Sequence, residues 1–345
     1  MTGPEIGVAL AAYGAASRVF HAQLLQAIPG MVLRTVVTRR PDEVRAALPG
    51  VLAVPDFAAV CADPTIDLVV IPTPNATHAP LAAQALSAGK HVVVDKPFTL
   101  TVAEAEALQA QARAAGRLLS VFQNRRWDSD FLTLRRLLGT DAVGVPVHLE
   151  SHFDRFRPQV PDRWRDRAGP GAGLWYDLGS HLVDQAVQLF GPPRAVFVDL
   201  AAQRDGATAD DWFHALLRYD RLRVVLHATA LAAAPSPRFV LHGTGGSWVK
   251  HGLDTQEEAL KAGAQPGGPG WGDDPSPGRL TTAAGEVETP GVPGDYRQYY
   301  LAVRDAIAGG GGNPVSPADA LTVMRVIELG RHSHEARREL ELDPS

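Results

Sequence analysis

Residues 5–17 read EIGVALAAYGAAS, and this stretch decides the fold. Its first seven residues are apolar or small apart from Glu5, as expected of a strand buried on both faces. The next six, Ala12-Tyr13-Gly14-Ala15-Ala16-Ser17, make a small-residue turn that runs into a helical stretch ending near residue 28. Strand, tight turn and helix together form the unit that presents helix amides to a dinucleotide pyrophosphate. The glycine fingerprint of that unit has Gly at the first, third and sixth of these six positions. Only Gly14 is retained, at the place where the backbone must come closest to phosphate; Ala12 and Ser17 stand for the other two.

Outward from this unit the same alternation repeats. MVLRTVVT (31–38), VLAV (51–54), IDLVVI (66–71), HVVVD (91–95) and LLSVF (118–122) are strand candidates. Between them lie helical segments opening at Pro41 and near 56–62, 76–88 and 101–115, the last with a Thr101/Glu104 capping box. Apolar strands separated by amphipathic helices predict a doubly wound parallel sheet of the Rossmann type over residues 1–122. At the end of its second strand, Thr38-Arg39-Arg40 replaces the acid that would hold ribose hydroxyls. Guanidinium donors there fit a 2′-phosphate, which predicts NADP(H) in preference to NAD(H), the latter remaining possible.

After residue 122 the pattern changes. VPVHLESHF (145–153) alternates, with Val145, Val147, Leu149 and Phe153 on one side and His148, Glu150 and His152 on the other. AVFVDLAA (195–202), WFHALLRY (212–219), RVVLHATAL (223–231) and RFVLHG (238–243) are further strands, most of them joined by short turns. The expectation is an α+β domain over 123–345 with a large, mostly antiparallel open sheet. Helices are expected at about 175–190 and 317–337, the latter packing back toward the first domain. The Gly/Pro-rich stretch 262–278 reads as a long loop, and much of 279–294 with it.

Composition narrows the function. The 345 residues carry a formal net charge of −5, without the basic stripe of a nucleic-acid surface. No apolar run approaches the roughly 20 residues of a membrane span. MTGPEIGVAL lacks a signal peptide's basic and apolar regions, and the sole cysteine, Cys61, reads as a small buried hydrophobe. A cytoplasmic location is the expectation. His332 and His334 lack accompanying ligand motifs and read as a helix surface, so no metal is expected.

Two constellations carry chemistry. Asp95-Lys96-Pro97 ends the fifth strand, where ligands bind in parallel sheets. GPGAGLWYDLGSHLVDQ (169–185) puts three glycines before a helix on which Asp177, His181 and Asp184 recur at helical spacing.

These motifs resemble the Gfo/Idh/MocA oxidoreductase family. Asp95-Lys96-Pro97 is similar to its Glu-Lys-Pro motif, with Asp standing for Glu. Gly173, Asp177, Gly179 and His181 resemble its second motif, and Ile71-Pro72-Thr73-Pro74-Asn75 with His78 its fourth-strand loop. Asn124-Arg125-Arg126-Trp127-Asp128 and Ser151-His152-Phe153-Asp154-Arg155-Phe156-Arg157-Pro158 resemble the branch that contains NADP-dependent scyllo-inositol 2-dehydrogenases, as do Trp212-Phe213-His214 and Trp271-Gly272. The likeness extends over nearly the whole chain. It implies hydride transfer between nicotinamide and a carbinol carbon of a cyclitol or sugar, with Lys96, Asp177 and His181 as the catalytic set. It also implies cofactor contacts from Tyr13 to Ser17, from Thr38 to Arg40, and from Pro72, Thr73, Asn75, His78, Asp95, Lys96, Asn124, Trp164 and Arg165. Substrate-lining candidates are Lys96, Asn124, Arg126, His152, Asp154, Arg157, Asp177 and His181. An aldose or glucoside oxidoreductase, or an NADP(H)-sensing regulator without chemistry, is the alternative. Self-association as a homodimer or homotetramer through the second sheet is expected.

Overall fold

The computed structural model describes residues 5–343. They pack as two compact units. One comprises the chain up to residue 124 with 256–271 and 295–321; the other comprises 125–255, 272–294 and 322 onward. Two later segments thus return to the first unit, which a linear division at residue 122 does not register.

The first unit holds a parallel sheet of β1 (Ile6–Leu10), β2 (Met31–Val37), β3 (Leu52–Val54), β4 (Leu68–Ile71), β5 (His91–Val94) and β6 (Leu119–Val121). Its order is β3-β2-β1-β4-β5-β6. The order reverses at β1/β4, the crevice where open α/β sheets bind nucleotides. β1 and β4 are buried at every position, as their continuous apolar runs require. Gly7 is needed in β1 because a Cβ there would lie 1.9 Å from the Thr65 carbonyl oxygen.

The expected first helix forms as a π-helical turn, Ser17–His21, continuing into α1 (Ala22–Gln26). α2 (Pro41–Ala47), α3 (Phe57–Ala62), α4 (His78–Ser87) and α5 (Val102–Ala115) follow. The capping box is realised on α5: the Glu104 amide donates to Thr101 Oγ1, and the Thr101 amide to Glu104 Oε2. Cys61 is half-buried on α3.

The second unit is built on nine strands, β7 (Pro146–His152), β8 (Ala195–Ala201), β9 (Trp212–Arg218), β10 (Arg223–Thr229), β11 (Pro237–Gly243), β12 (Gly246–His251), β13 (Gly278–Thr282), β14 (Gly285–Thr289) and β15 (Leu340–Glu341). Their order is β14-β13-β12-β11-β7-β10-β9-β8-β15. The pairings are antiparallel except β7 with β10. On β9 and β10, Phe213, Ala215, Leu217, Val224, Leu226 and Ala228 are buried and alternate with less buried residues. One face is therefore packed and the other carries polar and aromatic side chains.

The loop expected over 279–294 is corrected: residues 278–289 form the β13–β14 hairpin. GRLTT and GEVET are too polar for the apolar alternation that betrays a strand. Pairing with β12 and the close fit of Gly278 to Trp248 hold them instead. The helix α6 (Ser129–Leu138) likewise went unread, although its apolar positions recur with helical spacing.

Candidate active site

In the first unit, three segments lie at the carboxyl ends of β1, β4 and β5. The turn after β1 is tied by Ser17 Oγ, which donates to the Ala12 carbonyl at 2.7 Å, and by the Arg18 amide, which donates to the Gly14 carbonyl at 3.1 Å. Tyr13 and Ser17 are buried, whereas Ala15 is exposed. Ser17 at the last fingerprint position thus anchors the turn through its hydroxyl. A Cβ built on Gly14 meets no atom within 4 Å. The space in front of that Cα is the cradle a pyrophosphate needs, and it fits the dinucleotide.

At the end of β2, the Arg40 amide donates to Thr38 Oγ1 at 3.0 Å. The Arg40 guanidinium pairs with Glu43 at 2.8 Å, and Arg39 is exposed. After β4, Thr77 Oγ1 lies 2.7 Å from Thr73 Oγ1, and Asn75 is buried in the 3₁₀ turn Asn75–Thr77. His78 is fully buried, with Nδ1 2.8 Å from the Pro97 carbonyl oxygen and Nε2 2.9 Å from that of Thr73. It staples the loop after β4 to the turn after β5.

That last turn contains Asp95 and Lys96, followed by a cis Lys96–Pro97 bond. The Lys96 amide donates to Asp95 Oδ1 at 2.7 Å. Asp95 Oδ2 lies 3.4 Å from His21 Nε2, and His21 Nδ1 lies 2.6 Å from Tyr300 Oη. Burial would raise the Asp95 carboxyl, but the His21 contact and the neighbouring Lys96 charge hold it below the usual range. His21 and Tyr300 join the candidate site through Asp95, and the sequence reading missed both. His21 lies in the first helix and Tyr300 on the helix Arg297–Ile307, about 280 residues away, so no motif joins them.

In the second unit, Gly171 and Gly173 have φ of 73° and 89°. Asp210 explains the second: a Cβ on Gly173 would lie 1.9 Å from its Oδ1. Asp210 Oδ2 accepts the Trp175 amide at 2.7 Å. Burial, reinforced by Asp211, pushes the Asp210 carboxyl up to about 6 against its hydrogen bonds and Arg331. The chain then forms a π-helical turn, Trp175–Gly179, and α7 (Ser180–Phe190). Gly179 is required because a Cβ there would lie 2.6 Å from the Trp175 ring.

Asp177 is partly exposed and lies 3.8 Å from Arg165, whose guanidinium also stands over the Trp164 ring. Trp164, Arg165 and Asp177 are thus brought together. His181 is 4% exposed. Asp184, which shares the helical spacing of Asp177 and His181, turns inward. Arg126 Nε and Nη2 reach Asp184 at 2.9 and 2.7 Å, and both side chains are buried. Asn124 is also buried. Arg157 is exposed; its amide donates to the Ala230 carbonyl and its own carbonyl accepts from Arg204 Nη1. His152 and Asp154 lie together beside His227.

The comparisons with known proteins agree with this architecture. The profile of the oxidoreductase family's NAD-binding Rossmann fold matches residues 6–123, and that of its C-terminal alpha/beta domain matches residues 135–342. The chain is 52% identical over 340 residues to the uncharacterized oxidoreductase YdgJ of Escherichia coli, covering 97% of this chain and 98% of that one. It is 38% identical over 344 residues to the scyllo-inositol 2-dehydrogenase (NADP(+)) IolW of Bacillus subtilis, covering 98% and 96%. The solved structure of YPO2259 from Yersinia pestis superposes with a TM-score of 0.95 at 48% identity, covering 100% and 99%. With both halves matched in order along one chain, this protein belongs to the Gfo/Idh/MocA oxidoreductase family.

Proposed function

We propose that the protein is an NADP(H)-dependent dehydrogenase acting on a secondary alcohol, or the corresponding ketone, of a cyclitol of the scyllo-inositol kind or of a sugar. The observation that carries the cofactor preference is the end of β2, where Thr38, Arg39 and Arg40 stand and the ribose-binding acid is missing. The open cradle at Gly14 supports dinucleotide binding. The name of the Bacillus relative supports a cyclitol substrate.

Bound nicotinamide supplies the hydride acceptor or donor. The rest falls to the chain's own residues. Lys96 and His181 handle the hydroxyl proton and the oxygen charge as the carbinol carbon loses hydride. Histidine has an ordinary pKa of about 6.5, near working pH, while a lysine ammonium polarises the oxygen. Asp95 holds the Lys96 backbone, and Asp177 positions a substrate hydroxyl or His181. Asp184 takes no part in this chemistry because its carboxylate is committed to Arg126. The exposed face of the nine-stranded sheet is the surface we assign to self-association, which light scattering of the purified chain tests.

The decisive experiment is a dehydrogenase screen with NADP⁺ and NAD⁺ against inositol isomers and aldoses. Turnover is expected with a polyol, with kcat/KM favouring NADP⁺, and the Arg39→Ser/Arg40→Ser variant should lose that preference. Turnover confined to aldoses favours the sugar reading. Cofactor binding without turnover on any polyol or sugar overturns the enzymatic one.

A further inference from the structure

We propose that His152, Asp154 and His227 form a binding site for one divalent transition-metal ion of the zinc type. All three belong to the second unit, and the site needs neither the nicotinamide cofactor nor the proposed reaction. β7 and β10 are paired in parallel with His152 directly opposite His227. Asp154 lies two residues beyond His152, just past the end of β7, where the Phe153 and Arg155 amides still donate to the His227 and Thr229 carbonyls, so the extended alternation returns it to the same face. One ligand atom from each of the three residues can be chosen so that all lie within 4.8 Å of one another.

The distances favour a shared ion over direct hydrogen bonds. His152 Nδ1 lies 3.6 Å from Asp154 Oδ2, and His227 Nε2 lies 3.7 Å from Asp154 Oδ1. Both separations exceed the N···O range of about 2.7–3.2 Å. Two ligands of a tetrahedral zinc, at about 2.0–2.2 Å from the ion, stand roughly 3.3–3.6 Å apart. His152 Nδ1 and Asp154 Oδ1, two of the atoms that would face the ion, are buried without a hydrogen-bond partner. The Asp154 side chain is only 8% exposed. Unmet polar atoms of this kind are rare in folded proteins, and a cation satisfies them at once.

The outer groups are also present. His152 Nε2 lies 2.9 Å from Glu150 Oε2, and Glu150 Oε1 lies 3.0 Å from His148 Nε2. A carboxylate behind a ligating imidazole fixes its orientation and raises its basicity, as metal sites commonly arrange. Two imidazoles and one carboxylate match the three-ligand sets of zinc, and leave a position for water. This gives His152 and Asp154 a role other than the substrate contacts expected from the sequence.

The test uses the full-length chain, stripped with a chelator and free of cofactor and polyol, and ZnCl₂ as the probe. Competition with a chromophoric chelator should give one zinc per chain, with Kd micromolar or tighter. His227→Ala and Asp154→Asn should abolish this stoichiometric binding. Glu150→Gln, which leaves all three ligands in place, should weaken it by about 10–100-fold. His251→Ala, at an exposed histidine elsewhere, should leave it unchanged. Anomalous scattering at the zinc edge should place one peak among the three side chains in the wild-type protein, a readout independent of how the variants fold. The proposal is overturned by no binding at millimolar zinc, by unchanged affinity in His227→Ala, or by a peak elsewhere. It is overturned equally if His227→Ala loses polyol affinity while the wild-type protein binds no zinc, which would assign the cluster to substrate.

Discussion

Arg126 and Asp184 form a two-pronged ion pair inside the second unit, with Nε–Oδ2 at 2.9 Å and Nη2–Oδ1 at 2.7 Å. The guanidinium comes from the 3₁₀ turn Asn124–Trp127 and the carboxylate from α7, 58 residues later. Their side chains are 8% and 2% exposed. Removing Asp184 takes the bidentate partner away from a buried guanidinium. Asp184→Ala is therefore expected to destabilise the protein by about 3–5 kcal/mol. Denaturant unfolding checks this, and a loss below about 1 kcal/mol, the scale of an exposed pair, would contradict it.

Asp210 makes stability depend on pH in a defined direction. Its folded-state pKa, about 6, lies above the ordinary carboxyl value. The stability it contributes is thus present when the group is protonated, below about pH 4, and is lost as pH rises through 6. Asp210→Asn retains an acceptor for the Trp175 amide and never ionises. The variant's stability relative to wild type should increase by about 1–3 kcal/mol between pH 4 and pH 7.5. Thermal unfolding at both pH values measures the difference; a pH-independent offset would rule out this titration.

Gly14 separates folding from binding. Its Cα faces open space and its backbone is outside the left-handed region, so Gly14→Ala should leave stability within about 0.5 kcal/mol. The added methyl group occupies the place proposed for pyrophosphate. Cofactor Kd should rise at least about tenfold, equivalent to about 1.4 kcal/mol. Calorimetric titration with NADP⁺ reads this, and an unchanged Kd would remove Gly14 from the cofactor site.

The proposed acid–base set gives a kinetic prediction. Lys96→Ala and His181→Ala should each lower kcat by about 10²–10⁴ while the protein still binds NADP⁺. Turnover near wild type in either variant refutes the role of that residue.

Tyr300 tests the support behind Asp95. Its hydroxyl lies 2.6 Å from His21 Nδ1, and burial raises its pKa well above the ordinary value, so it acts as a neutral hydrogen-bonding group. Tyr300→Phe keeps the ring in its contact with Phe122 and removes only the hydroxyl. A loss of about 0.5–1.5 kcal/mol is expected in chemical denaturation. No loss would mean that water replaces the contact.

The sequence by itself determined the first sheet, because parallel strands covered on both faces must be continuously apolar and β1, β4 and β5 are written that way. It also determined the alternation of β7, β9 and β10, and the candidate motifs at Gly14, Lys96 and His181, since each is local in the chain. Hairpin β13–β14 was illegible because its strands are polar and depend on pairing with β12. Only the tertiary structure decided the partners of charged groups. Asp184 turned inward to Arg126, Asp95 joined His21 and, through it, Tyr300, and His152 came to face His227 across paired strands. Such partnerships depend on atoms brought within a few ångströms from positions scores or hundreds of residues apart, and local periodicity carries no record of them.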